Sequence, residues 1–150
     1  VVTKLKKSKR FQPVKKLAEN KEAAAAVQMK ESSDVQLASV QQLKQLEAYR
    51  NDYMTQFKAK GESGLSALML QEYQAFVQKL DRAIEEQLKV VKQAGARLDG
   101  HQQIFKQSLS RRKVVDKLIQ KSKKEEAFLE DKQEQKVADD RVSNRDGPLK

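Results

Sequence analysis

The stretch VQKLDRAIEEQLKVVKQAGARLDGHQQIFKQSL, residues 77–109, carries an apolar side chain at every seventh position: Val77, Ile84, Val91, Leu98 and Phe105. A repeat of seven over four intervals is the signature of a helix that keeps one narrow seam against a partner helix. Leu80, Leu88 and Leu109 are expected at the companion seam positions. Upstream, Val40, Leu43, Met54 and Phe57 follow a similar period, interrupted by Glu47 and Arg50. The partner helix is therefore expected to lie in the first half of the same chain. Gly95 and Gly100 are soft points of the second helix, each costing about 1 kcal/mol relative to alanine, so a bend or local mobility is expected there.

The prolines are Pro13 and Pro148, and the text between them is rich in Ala, Gln, Lys, Glu and Leu, a composition that favours helix throughout. Pro13 suits a first helical turn, where its missing N–H costs nothing. Gly61 and Gly64 bracket Glu62 and Ser63, which marks a reversal, with Ser63 as the expected cap of the next helix. The fold class predicted is all-α, a long two-helix antiparallel coiled-coil hairpin forming a single rod over 1–150. Its expected parts are a basic flexible start (1–12), helix one (13–59), a turn (60–64), helix two (65–141) and a flexible tail (142–150). Pairing about that turn sets residues 14–16 beside roughly 109–115 and leaves the end of helix two as an overhang. At ~1.5 Å per residue the hairpin is on the order of 70 Å long.

Of 150 residues, 35% are charged and the mean hydropathy is −0.82, too little apolar material for a thick core. The absence of cysteine excludes disulfides, zinc–thiolate sites and thiol chemistry. No apolar run approaches the roughly 20 residues of a membrane-spanning helix, so a soluble protein is expected. The net charge of +10 is uneven. Residues 1–16 carry seven basic and no acidic side chains, and residues 106–124 carry eight basic and one acidic. In the expected hairpin both blocks meet at the end opposite the turn, a cationic tip suited to phosphate, anionic lipid or an acidic protein.

Catalysis has no obvious seat. His101 is the single histidine and has no companion at ligand spacing, so no metal site and no cofactor are expected, and His101 reads as a surface or seam residue. Glu85 and Glu86, like Glu125 and Glu126, are sequence neighbours on different helix faces. Phosphate-binding loops and nucleophile elbows are missing, and the chain reads as a non-enzyme.

The aromatic residues gather about the turn. Gln42, Leu46, Tyr49 and Tyr53 step by four, three and four along helix one, and Phe76, Leu80, Ala83 and Gln87 repeat the step on helix two. Pairing inward from the turn matches 53 with 76, 49 with 80, 46 with 83 and 42 with 87. Such a stripe is as often packing as binding. Phe76 and Ala83, however, each precede a seam residue by one position, about 100° around the helix, which favours a partner-binding patch beside the seam.

RFQPVKKLAENKE (10–22), QLKQLEAYRNDYMTQF (42–57), GLSALMLQEYQAFVQKLDRAIEEQ (64–87) and EQKVADD (134–140) together resemble the flagellar FliJ family, over about residues 10–142. The resemblance implies a cytoplasmic component of the flagellar type III export apparatus, a coiled-coil rod similar to the central stalk of rotary ATPases and not itself an ATPase. It implies that the terminal end enters the hexameric ring of the export ATPase FliI. The other end would contact the export gate protein FlhA, through Gln42, Leu46, Tyr49, Tyr53, Phe76, Leu80, Ala83 and Gln87. For the ATPase end it points to Arg10, Lys15, Lys16, Leu17, Arg111, Arg112 and Lys113. Export chaperones and FliH are further implied partners, with a location at the cytoplasmic face of the basal body and no membrane association beyond a peripheral one through the gate. The rival reading is a basic coiled-coil protein that binds nucleic acid. Against it, the aromatics lie away from the basic blocks, so no base-stacking platform is interleaved with lysine and arginine.

Overall fold

The computed structural model describes residues 5–147. They form a short helix α1 (Lys7–Arg10) and two long helices, α2 (Gln12–Gly61) and α3 (Ala67–Arg145), with no strand among the described residues. Pro13 lies in the first turn of α2, as its chemistry requires. α2 runs two residues further than predicted, to Gly61. The Ser63 and Gly64 amides then donate to the carbonyls of Lys60 and Gly61, both at 3.2 Å. Gly64 has φ 95°, a left-handed conformation that a side chain would strain. The cap of α3 is Ser66, whose hydroxyl accepts the Met69 N–H at 3.2 Å. Ser63, the expected cap, instead donates its hydroxyl to the Lys60 carbonyl at 2.8 Å and closes the end of α2. α3 continues through Gly95 and Gly100 and past the predicted boundary at 141, since no helix breaker follows until Gly147. Residues 1–4 of the predicted flexible start and 148–150 of the predicted tail lie outside the described residues.

Contacts divide the chain into two compact units, one formed by Ala25–Phe105 and the other by the residues up to Ala24 and from Lys106 on. In the first, α2 and α3 run antiparallel, with Arg50 against Asp81, Ser39 against Gln87 and Ser32 against His101. Val77, Ile84, Val91, Leu98 and Phe105 are half-buried along the seam, as the repeat predicts. The companion series differs from expectation. It is Leu80, Gln87, Ala94 and His101, again seven apart, while Leu88 is 45% exposed. Leu88 follows Gln87 by one residue, which turns it ~100° out of the seam. On α2, Arg50 does not interrupt the seam but belongs to it, because its Nε reaches Asp81 Oδ1 at 2.6 Å. Buried residues here are small or single: Ala25, Ser32, Ser39, Leu80 and Ala94.

In the other unit, α1 and the start of α2 lie against α3. Ile119 and Ser122 are buried on α3, and Ser8 is buried on α1. The Arg112 guanidinium bonds Glu22 on α2 and Asp116 on its own helix, the latter at 2.8 Å. Asp116 Oδ1 has no hydrogen bond, but the Lys15 ammonium stands 3.7 Å from it. The start that sequence predicts as flexible is docked over its described part. Ser8 donates both its backbone N–H (3.0 Å) and its hydroxyl (2.7 Å) to the two oxygens of Glu126, and Lys6 pairs with Glu130. Pairing therefore reaches Glu130, and the overhang is shorter than expected, with every residue from Asp131 to Arg145 exposed.

The two Ser8 hydrogen bonds, chiefly that from the backbone, hold the Glu126 carboxyl below its ordinary value of 4.5. A depressed folded-state value means that the docking contribution is full above the ordinary value and is lost as the pH falls through the lower folded one. The amides of residues 7–11 should thus be protected, relative to their intrinsic exchange rates, at neutral pH and lose that protection in acid. In Glu126→Ala the protection should be low at both, with overall helix content nearly unchanged. Hydrogen exchange read residue by residue checks this.

Candidate partner-binding surfaces

The aromatic residues of the Ala25–Phe105 unit form one cluster across the two helices. Tyr53 lies between Tyr73 (ring centroids 5.6 Å, stacked) and Phe76 (4.4 Å, tilted), Phe57 stacks on Tyr73 at 3.7 Å, and Tyr49 meets Phe76 edge-on at 6.1 Å. Such ring pairs contribute roughly 0.5–1.5 kcal/mol beyond their buried area. The cluster closes the seam toward the turn, where aliphatic seam residues run out. Phe57 and Tyr73 extend it beyond the two predicted stripes. Their signal was present in the sequence, since each stands four or three residues from a stripe member on the turn side.

The eight stripe residues divide by depth. Leu80 is 7% exposed and is core; Leu46, Tyr53, Phe76, Ala83 and Gln87 are half-buried; Gln42 and Tyr49 are exposed, Tyr49 by 54%. The expected pair of 53 with 76 is seen in the ring contact, and that of 42 with 87 in a hydrogen bond from Gln87 Nε2 to Gln42 Oε1 at 3.3 Å. Gln87 also donates to the Ser39 carbonyl at 2.9 Å. A glutamine at a seam position is thereby satisfied by the facing helix, as a half-buried amide must be. Gln42, Gln45, Leu46, Tyr49 and Gln87 together line a shallow depression on the surface. It presents two ring or aliphatic faces and three amides.

The seven cationic-end residues also divide. Lys15 and Arg112 are half-buried and engaged within their own unit, Lys15 with Glu19 and Asp116, Arg112 with Glu22 and Asp116. The Glu22 hydrogen bond, followed by its charge and by Asp116, raises Arg112 further above its ordinary range. Arg10, Lys16, Leu17, Arg111 and Lys113 are exposed. Sequence could count these charges but not sort them, because the sorting depends on which acidic residues the opposite helix brings to the same height. His101, single in the sequence, is a seam residue bonded to Ser32. Among the described residues no three metal-ligating side chains come together, and no helix is long and apolar enough to cross a membrane.

Core and surface members should separate in thermal unfolding. Leu80→Ala should cost about 2 kcal/mol or more, as buried leucine truncations do. Tyr49→Ala, which removes a largely exposed ring, should cost about 1 kcal/mol or less.

A sequence model of one protein family, described as Flagellar FliJ protein, matches residues 7–145. No curated protein and no solved structure matches the chain.

Proposed function

The chain belongs to the flagellar FliJ family, a component of the flagellar export apparatus, and from that premise we propose that it links the export ATPase FliI to the export gate FlhA without catalysing a reaction itself. The observation that carries this reading is the family match over residues 7–145, which takes in both candidate surfaces. The exposed cations Arg10, Lys16, Arg111 and Lys113, with Leu17, serve the ATPase ring in this reading, where complementary charge speeds and orients docking. The depression around Leu46 and Tyr49 serves the gate, with Tyr49 as its anchor, since exposed aromatic rings in a small polar frame carry a large share of interface energy. The more buried members of both sets act by shape: Leu80 belongs to the core beneath the patch, and Arg112, bonded to Glu22, keeps α2 and α3 in register in their unit. The same reading has export chaperones and FliH as further partners and places the protein at the cytoplasmic face of the basal body.

Charge reversal at Arg111 and Lys113 should cut stimulation of FliI ATP hydrolysis severalfold and spare gate binding. Arg111 and Lys113 are chosen because neither forms an ion pair among the described residues, whereas reversal of Arg112 would strand Glu22. Tyr49→Ala should do the opposite, weakening gate binding by on the order of tenfold and leaving ATPase stimulation intact. A wild-type protein that bound duplex DNA at physiological salt as tightly as it bound the ATPase ring would refute the assignment.

A further inference from the structure

The gate-facing flank does not end at Gln42. Tyr49 and Gln42 each precede a seam residue of α2 by one position, and Phe76 and Ala83 do the same on α3. The series continues at Val35 and Gln28 on α2 and at Val90 and Arg97 on α3, in the same steps of seven. All of these positions lie about 100° from the seam on the same side. The structure has a second depression there, lined from both helices by Val35, Val90, Ser32, Ala94, Arg97 and His101 among others. Val35 is 56% and Val90 44% exposed, yet the residues beneath them, Ser32 and Ala94, are buried. Small seam side chains let the two helices close up, so the flanking valines stand beside a shallow groove rather than inside a core. Neither Arg97 nor Glu31, on the rims of this groove, forms an ion pair among the described residues.

We propose that this Val35–Val90 groove and the Leu46–Tyr49 depression are two anchor points of one lengthwise interface, and that the occupant is an amphipathic helix of the gate protein packed as a third helix along the pair. The inference rests on the gate reading given above. Continuity supports a single occupant: both depressions lie on one flank of one compact unit, separated by two heptads, or about 21 Å at 1.5 Å per residue. A helix aligned with the pair presents apolar residues at that same two-heptad interval. An extended strand can also reach both anchors, about six residues apart at roughly 3.3 Å each, but two packed helices offer no sheet edge to pair its backbone N–H and C=O groups. Between the anchors, the Gln42–Gln87 amide pair fits a polar position of the incoming helix. At the far rim, Glu31 and Arg97 fit charges of opposite sign on it. The interface thereby reaches roughly twice the length of the aromatic patch.

The test compares binding of the cytoplasmic region of FlhA by the wild-type chain, Tyr49→Ala, Val35→Asp, Val90→Asp and Leu37→Asp. Leu37 is as exposed as Val35 but points away from this flank, at the position after the seam residue Gln36. Circular dichroism confirms that each variant keeps its helix content, which substitution of exposed valines should spare. The proposal expects Val35→Asp and Val90→Asp each to weaken binding on the order of tenfold, comparable to Tyr49→Ala, with Leu37→Asp within about twofold of wild type. Loss of affinity in Tyr49→Ala with none in the two valine variants overturns the extended interface and leaves the gate reading standing. Equal losses in Leu37→Asp and the valine variants overturn it as well, since the effect would not follow the flank. No binding by the wild-type chain overturns the gate reading itself.

Discussion

Two helices have only one strip of surface to bury against each other, and in this protein half of the buried residues among those described are polar. Among the described residues no large side chain is fully buried, and the most buried are alanine, serine, one leucine and one isoleucine. A seam of this kind is held by matching as much as by apolar area. Each polar group that faces the partner helix needs a donor or acceptor at its own height, because a buried polar group without one costs on the order of 1–3 kcal/mol. Gln87 on Ser39, Arg50 on Asp81, Ser32 on His101, Arg112 on Glu22 and Ser8 on Glu126 are the resulting rungs. Sliding either helix by one turn would leave most of them unpaired. The polar seam therefore sets register, while Ile119, Leu80, the half-buried repeat residues and the aromatic cluster supply most of the apolar burial.

A thin seam also fixes what is left over for partners. Side chains one position off the seam are at most partly covered by two helices, and on one flank of the Ala25–Phe105 unit they include Val35, Tyr49, Phe76, Ala83 and Val90. In the basic unit the same economy works on charge. Lys15 and Arg112 are consumed by carboxylates of the opposite or the same helix, and Arg111 and Lys113, their neighbours in sequence or in space, are exposed and form no ion pair among the described residues. Adjacent residues thus carry different duties, with a rotation of ~100° deciding between them.

Much of this was legible in the chain. The repeat from Val77 to Phe105 announced a coiled-coil seam, the Gly61–Gly64 segment announced the reversal, and the steps of four and three put the aromatic stripes on facing helices. What escaped were seam positions held by polar residues. Leu88 was expected inside because leucine is apolar, and Gln87, which stands there in its place, gave no hydrophobic signal. Arg50 was read as an interruption for the same reason. The docked α1 was hidden too: Ser8 in a lysine-rich stretch has no periodic pattern around it, and its partner Glu126 is more than a hundred residues away.

Sequence alone thus determined the helical state, the place of the reversal, the family and the distribution of charge along the chain, since propensity, heptad spacing and composition are local properties. The tertiary structure decided which polar residues enter the seam, which cations are spent on internal pairs, and how far Tyr49, Val35 and Val90 stand clear of the interior. Those outcomes depend on which residues of the opposite helix arrive at the same height, and a one-residue change in register would reassign every one of them.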